Sequence, residues 1–598
     1  MRILLLIFVV LICAHLARSR VWAAESEEQR IVTVSTLCML DDEASQNGDY
    51  VLGMIEQAAK RQPHDLIVTP LMPFLSFREG KEADDLKSFA ELAATNDTYL
   101  AVAMMETAQD GREFCTSVLL GRNGQVVGKY RKTHALPDDN MALGDDLPVF
   151  ETDFGILGFS LSTDFYFPEV YGVERMKGAD ILIWQHYPER FREHFQWAPM
   201  LKARALDSHA HMVSAMYADP RCYIANRYRS GMQGAAWGRS MIINRVGTPI
   251  ADTGYEDGIA TSVIDLDKRK CDPYTPYYEA ENIFFCNSVG DRKAFYPLTE
   301  PWEKPVLPTF EKRQARVAVG YFWSGDMWRN DSIPEAMFRV LDEAEKVKPD
   351  IVLLSEMGAR VGNETTRQTA QMVAERARRM NAYILIGGVD DKGHRSHGWL
   401  WNREGEVVFK EPIYWTEGFE EIKVHDTDFA RIGVHLCGDL YTGEVDRVSA
   451  LKGAEIIFDP SQHWGADGYN NELMLRARAV DNGCWVACAH WNSSDPGLRS
   501  LIIDPYGYVM AASKFQQEGV VFVDIDFDQK KVYYAGQKPQ QPKRGEKGIP
   551  SYYTEDMPEQ HPGWREMIFA RRRPELYGIL PTENEVIMRY RPPKKEGE

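Results

Sequence analysis

Cysteine is scarce: there are nine in 598 residues, and one of them, Cys13, sits in the leading apolar run. The eight others are too few for a disulfide scaffold, and no two are spaced as CxxC, so a cystine-stapled fold and a zinc ribbon are both excluded. Cys271 with Cys286 is a candidate bridge. Positive charge is short as well. Lys and Arg number 69 against 88 Asp and Glu, leaving a net charge of −19. Such a surface repels phosphate backbones and anionic headgroups, so no nucleic-acid partner is expected. Gly (45) and Pro (31) are too few for a collagenous or Pro-rich filament. Long apolar runs are missing beyond residue 24. The one run present covers residues 3–16, behind Arg2 and ahead of Val21-Trp22-Ala23-Ala24. A short basic start, a sub-spanning apolar stretch and a small-residue end make the pattern of a secretory signal. Residues 1–23 are therefore expected to be a signal peptide, and the mature chain to be exported, periplasmic or secreted, without a membrane partner. GxGxxG, P-loop, HExxH and GxSxG motifs are all lacking, so no cofactor and no metal is expected.

What is present is a globular composition, 44% apolar and 26% charged, in a length that suits two domains. The chain also repeats itself. Val32-Thr33-Val34 resembles Val317-Ala318-Val319, and Asp65-Leu66-Ile67-Val68 resembles Asp350-Ile351-Val352-Leu353, both at an offset of 285. Lys177-Gly178-Ala179-Asp180 meets Lys452-Gly453-Ala454-Glu455 at 275, and Arg239-Ser240-Met241 meets Arg499-Ser500-Leu501 at 260. Matches in one order at shrinking offsets describe a tandem duplication whose second copy has shorter loops. The copies are expected at 28–300 and 315–531. A linker at 301–314 carries Pro301, Pro305 and Pro308, and a C-terminal extension covers 532–598. Short apolar runs at 351–354, 383–388, 432–436, 456–458, 485–487 and 520–525 read as buried strands, and 366–380 has helical spacing. Strands alternating with helices indicate an α/β fold.

The motifs then carry a resemblance. An acidic residue ends DIVLLSE (350–356), and a Lys ends the hairpin GQVVGKYRK (124–132). A Cys lies in GVHLCGD (433–439), followed by RARAVD (476–481) and RRPELY (572–577). Each copy resembles a domain of the nitrilase (carbon–nitrogen hydrolase) superfamily. The resemblance implies two tandem four-layer αββα sandwiches, packed as an intrachain pseudo-dimer. It also implies cleavage of a small-molecule amide or nitrile. The Cys attacks, the Glu moves the proton, and the Lys supports the developing negative charge. Each role answers a physical need, because a thiol requires a positioned base and a tetrahedral oxyanion a preorganised donor.

Neither copy carries the full set. At the matching positions the first copy has Leu71 and Ser162 and keeps only Lys132, so it reads as a degenerate partner. The second keeps Glu356 as base and Cys437 as nucleophile. Its hairpin, GEVVFKEPI (405–413), puts Ile413 where the count from the Gly demands Lys. Lys410 stands three residues early and fills the role only if a bulge near Pro412 resets the register. Lys423, Tyr414 and His435 are the other donors within the same stretch of chain, and Glu417, Glu420 and Glu421 are weaker acidic candidates. The expected function is an exported hydrolase of non-peptide carbon–nitrogen bonds using Cys437, Glu356 and Lys410. The alternative is a non-catalytic ligand-binding or scaffold protein derived from the same fold.

Overall fold

The structure is a computed structural model that describes residues 30–40, 47–135, 141–187, 197–218, 239–254, 256–267, 292–323, 333–356, 363–389, 396–414, 421–461, 468–492, 499–514, 517–528 and 564–582. The expected signal peptide, Cys271, Cys286, Glu417 and Glu420 lie outside these residues.

In the first half one sheet orders β5 (Val126–Arg131), β4 (Glu113–Leu120), β3 (Tyr99–Thr107), β2 (Leu66–Arg78) and β1 (Ile31–Leu40). It continues through β1 into β9 (His211–Ala218), β8 (Ile181–Gln185), β7 (Ile156–Leu161) and β6 (Val149–Glu151). Strand β10 (Met241–Ile243) pairs with β9 and with β11 (Pro249–Asp252), and β12 (Gly258–Asp265) runs antiparallel to β1. The second half repeats this order. One sheet holds β17 (Val407–Pro412), β16 (Ser396–Trp401), β15 (Tyr383–Val389), β14 (Ile351–Glu356) and β13 (Gln314–Trp323), with β22 (Trp491–Asn492) and β25 (Gly519–Asp526) on β13. The other holds β18 (Val424–Asp426), β19 (Arg431–Val434), β20 (Ile456–Pro460), β21 (Trp485–Ala489), β23 (Leu501–Ile503) and β24 (Val509–Ala512). The central strands pair in parallel and are buried on both faces, which is why β14 and β20 read as unbroken apolar runs.

Helices cover the outer faces. In the first half these are α1 (Gly48–Arg61), α2 (Lys87–Thr95), α3 (Pro168–Met176) and α4 (Trp197–Ser208). In the second they are α5 (Ile333–Lys346), α6 (Asn363–Met380), α7 (Gly443–Leu451) and α8 (Gly468–Asn482), with α9 (Trp564–Phe569) near the end. Helix α1 shows the local logic. Asn47 accepts the N–H of Tyr50 as a cap, and Val51, Met54, Ile55 and Ala58 form the buried stripe on the sheet. Between the two sheets of the second half lies an apolar core that includes Val319, Leu353, Leu385, Val434, Phe458 and Ala487. The chain is two tandem αββα sandwiches. No helix among the described residues is long and apolar enough to cross a membrane.

One repeat match needs correction. Thr33 donates its N–H to Asp65 and Arg316 donates its N–H to Asp350, each at 2.8 Å, so Thr33 answers Arg316 and Val34 answers Val317. The offset in the first strand is thus 283, two less than in the next strand. A slip of two keeps every side chain on its own face of a strand, so an apolar alternation cannot reveal it.

Where the halves meet, α4 packs on α8 and the charges cross over. Arg204 is bidentate to Asp481 at 2.6 and 2.7 Å, and Arg478 is bidentate to Asp207 at 2.6 and 2.8 Å. Each Arg also donates to a carbonyl of its own half, Phe165 for Arg204 and Leu440 for Arg478. Nearby, the buried Glu169 sits between Arg447 and Arg572, whose charges outweigh burial and hold its carboxyl far below the usual range.

Candidate active site

Glu356 ends β14, a strand buried over all six residues, and is itself only 8% exposed. An ionisable group at the end of such a strand is costly unless it has a role. The pairing of β14 with β15 skips a residue between Leu354 and Glu356, so Glu356 stands opposite Gly387. A side chain at Gly387 would crowd both neighbours. A Cβ there would lie 2.8 Å from the Cα of Glu356 and 3.2 Å from the Cβ of Pro460. The end of β14 and the end of β20 therefore close on one another across a missing side chain.

The end of β20 is also where the sulfur is held. Cys437 opens a 3-10 turn (Cys437–Tyr441) just beyond β19 and has φ +48°, the left-handed region that costs a non-glycine residue about 1–2 kcal/mol. Several polar contacts fix it. Asp459, fully buried and next to Pro460, accepts the N–H of Cys437 at 3.2 Å through Oδ1 and the thiol of Cys488 at 3.2 Å through Oδ2. Asp439 accepts the N–H of Leu436 at 3.0 Å and that of Tyr414 at 3.2 Å, clamping the turn to the segment after β17. Leu436 and Ile413 belong to the apolar cluster against which the partly exposed Cys437 packs. A line of contacts thus runs from Glu356 through Gly387 and Pro460 to Asp459 and the N–H of Cys437.

Lys410 does not join them. Its register partner in β16 is Trp399, as Lys129 pairs with Val118 in the first half, and both hairpins carry the same irregularity one step earlier. Lys410 is therefore the counterpart of Lys129, and no bulge near Pro412 shifts it. Its ammonium is exposed, 4.3 Å from the centre of the Trp399 ring, on the face opposite to the buried Glu411. The register leaves Ile413, buried and apolar, in the place of Lys132.

The alternative donors separate as follows. Lys423 is half exposed, with Nζ 3.8 Å from Glu411. Tyr414 is buried, and its hydroxyl accepts the N–H of Lys423 at 3.4 Å. Glu421 points to Lys452 at the surface. His435 is fully buried, with Nδ1 2.6 Å from Asp446 and Nε2 3.5 Å from Asp459. Burial opposes its charge, but the two carboxylates outweigh it and hold the imidazole protonated well above its ordinary range. Sequence reasoning missed Glu411 altogether. It is fully buried, burial pushes its carboxyl up to about 7, and nearby Lys423 offsets only part of that.

The first half keeps the backbone and differs in the side chains. Ser162 has φ +46°, and Leu71 stands opposite Ala103 as Glu356 stands opposite Gly387. Trp184 occupies the place of Asp459 and donates its indole N–H to the carbonyl of Ser162 at 3.0 Å. Lys132 is present and buried.

A Carbon-nitrogen hydrolase family model matches residues 32–274 and 375–533. The chain belongs to the carbon–nitrogen hydrolase family. Within this class of enzymes the deaminated glutathione amidase of Synechocystis sp. is 30% identical over 218 residues, 32% of this chain and 77% of that protein. The human omega-amidase is 25% identical over 211 residues, 33% of this chain and 71% of that protein. Among solved structures, Nit3 of Saccharomyces cerevisiae, of branch 10 of the nitrilase superfamily, aligns at 19% identity with TM-score 0.35. The alignment covers 42% of this chain and 99% of that one. The second matched segment of the carbon–nitrogen hydrolase pattern begins beyond Glu356.

Proposed function

We propose that this carbon–nitrogen hydrolase is an exported amidase that cleaves a small-molecule amide, with Cys437 as nucleophile and Glu356 as base. The observation that carries this reading is the closure at Gly387, which brings the strand end bearing Glu356 against the strand end whose Asp459 holds Cys437. The thiol adds to the amide carbon as its proton passes to Glu356. Collapse of the tetrahedral adduct expels the amine, which takes that proton, and leaves a thioester. Water, deprotonated by Glu356, then releases the acid and restores the thiol. With Ile413 in the place of the Lys, the oxyanion relies on the backbone N–H of Gly438, next to Cys437, since the N–H groups of Leu436, Cys437 and Asp439 are already bonded. The apolar run at 3–16 supports export. The crossed pairs Arg204–Asp481 and Arg478–Asp207 support an internal pseudo-dimer with the first half as structural partner.

The experiment is hydrolysis of simple aliphatic amides by wild type, Cys437→Ala and Glu356→Gln. Loss of turnover in the first, and a fall of about 10²-fold or more in the second, supports the mechanism. A Cys437→Ala protein as fast as wild type refutes it. One observation favours a second reading, a ligand-binding protein without turnover: the buried Ile413 where a cation is needed. Amide binding with no turnover in wild type would establish that reading instead.

A further inference from the structure

Three buried ionisable side chains beside Cys437 have no counterpart in the first half. Asp446 on α7, His435 after β19 and Asp459 on β20 are each at most 1% exposed. They form a line: Asp446 Oδ1 lies 2.6 Å from His435 Nδ1, and His435 Nε2 lies 3.5 Å from Asp459 Oδ1, the oxygen that accepts the N–H of Cys437. The line continues the other way. Asp446 Oδ2 lies 3.6 Å from Nε of Arg478, which is bidentate to Asp207 of the first half and donates to Leu440 in the turn carrying Cys437.

The duplicated half acts as an internal control. Its brace is the same: Arg204 is bidentate to Asp481 and donates to Phe165, the counterpart of Leu440. The line beyond the brace is neutral. Tyr171 replaces Asp446 and shares a 2.9 Å hydrogen bond with Ser160, which replaces His435, while Trp184 replaces Asp459. The brace thus needs no charge beyond the Arg, and neither does the left-handed turn, since Ser162 adopts it as well. Burying two carboxylates and an imidazolium is costly, and a neutral set of similar shape folds in the same place. The charges occur only where the thiol is.

We propose that Asp446, His435 and Asp459 are positioning residues that set the charge felt by Cys437 and link it, through Arg478, to Asp207 of the first half. The proposal rests on Cys437 being the nucleophile. A carboxylate at 459 alone would oppose the thiolate. A protonated His435 offsets it, and Asp446 keeps His435 protonated. The charged and titratable groups around His435 are Asp446 from α7 and Asp459 from β20, with Arg478 of α8 behind Asp446 and the thiols of Cys437 and Cys488 beyond Asp459.

The test is the pH profile of iodoacetamide alkylation on the full chain, read at the Cys437 peptide by mass spectrometry, alongside kcat and KM for an amide. Asp446→Asn keeps an acceptor for Nδ1 and removes the charge. Its alkylation midpoint is expected to rise by about one pH unit, a tenfold slower reaction at fixed pH below the midpoint, and kcat to fall with KM held. His435→Ser combined with Asp446→Tyr installs the neutral pair that the first half already folds around, and the same upward shift is expected. Profiles of both variants that superimpose on wild type overturn the proposal. The nucleophile assignment fails by a different result: wild-type Cys437 reacting only above pH 8, with Cys437→Ala still hydrolysing amides, removes that assignment and this proposal with it.

Discussion

Replacing Glu411 by Gln should stabilise the protein, and only on the alkaline side. Glu411 is fully buried on the inward face of β17, at the position Tyr130 holds in the first half. Its Oε1 accepts the N–H of Lys423 at 3.2 Å, whereas Oε2 has the ammonium of Lys423 no nearer than 3.8 Å. Burial pushes the carboxyl from the ordinary 4.5 up to about 7, with Lys423 offsetting part of the effect. The folded state therefore holds a proton that the unfolded chain releases. The stability this proton supplies is complete below about pH 4.5 and is lost as pH rises through about 7. At about 1.4 kcal/mol per pH unit, the loss reaches about 3 kcal/mol by pH 8. Gln has the same shape and no proton to lose. The Tm of Glu411→Gln should match wild type near pH 5 and exceed it by about 5 °C or more at pH 8, since 1 kcal/mol moves a unit the size of one half by about 2 °C or more. Thermal melts at pH 5, 6, 7 and 8 decide it. A difference in Tm that does not change with pH, or a wild type that is the more stable at pH 8, refutes the reasoning.

Two further substitutions probe the site. Gly387→Ala sets a methyl 2.8 Å from the Cα of Glu356. Because backbone must yield, kcat/KM for an amide should fall by about 10-fold or more while Cys437 still alkylates, and an unchanged kcat/KM would show that Glu356 need not be held there. Ile413→Lys restores the cation that the register of β17 assigns to that position. Steady-state kinetics should show kcat rising by about 10²-fold, with a lower Tm from burying an ammonium, and a folded variant with unchanged kcat would mean the oxyanion is already fully supported.

The family was legible because its signals are local. The strand that delivers Glu356 is an apolar run with one acid at its end, and a Cys and an Asp two residues apart mark a turn that the backbone then builds around φ +48°. The register of β17 was legible too, since counting from Gly405 reaches Ile413 and the irregularity in each hairpin falls at the same step. Glu411 could have been found by the same alternation, because Phe409 and Ile413 flank it at a spacing of two and both face inward. The charge line could not be read. Asp446, His435 and Asp459 come from three elements and are ordinary residues singly; only their approach makes them unusual. The crossed pairs at the seam are hidden for the same reason, since Arg204 and Asp481 are 277 residues apart.

The substitutions that separate the halves divide by what each residue faces. In the first half Leu71, Ser160, Tyr171 and Trp184 stand where the second half buries Glu356, His435, Asp446 and Asp459, and each difference avoids the cost of burying an ionisable group, although Lys132 stays buried where the second half has Ile413. Where it faces the second half, the charges remain: Glu169 between two guanidinium groups, Arg204 on Asp481, Asp207 on Arg478. Deleting any one of these would strand its partner in the interior, a penalty of several kcal/mol that falls on the other half. A duplicated sandwich can therefore shed buried charges away from its seam at a gain in stability but not those within it, and the half that carries Cys437 depends on the half that carries Ser162.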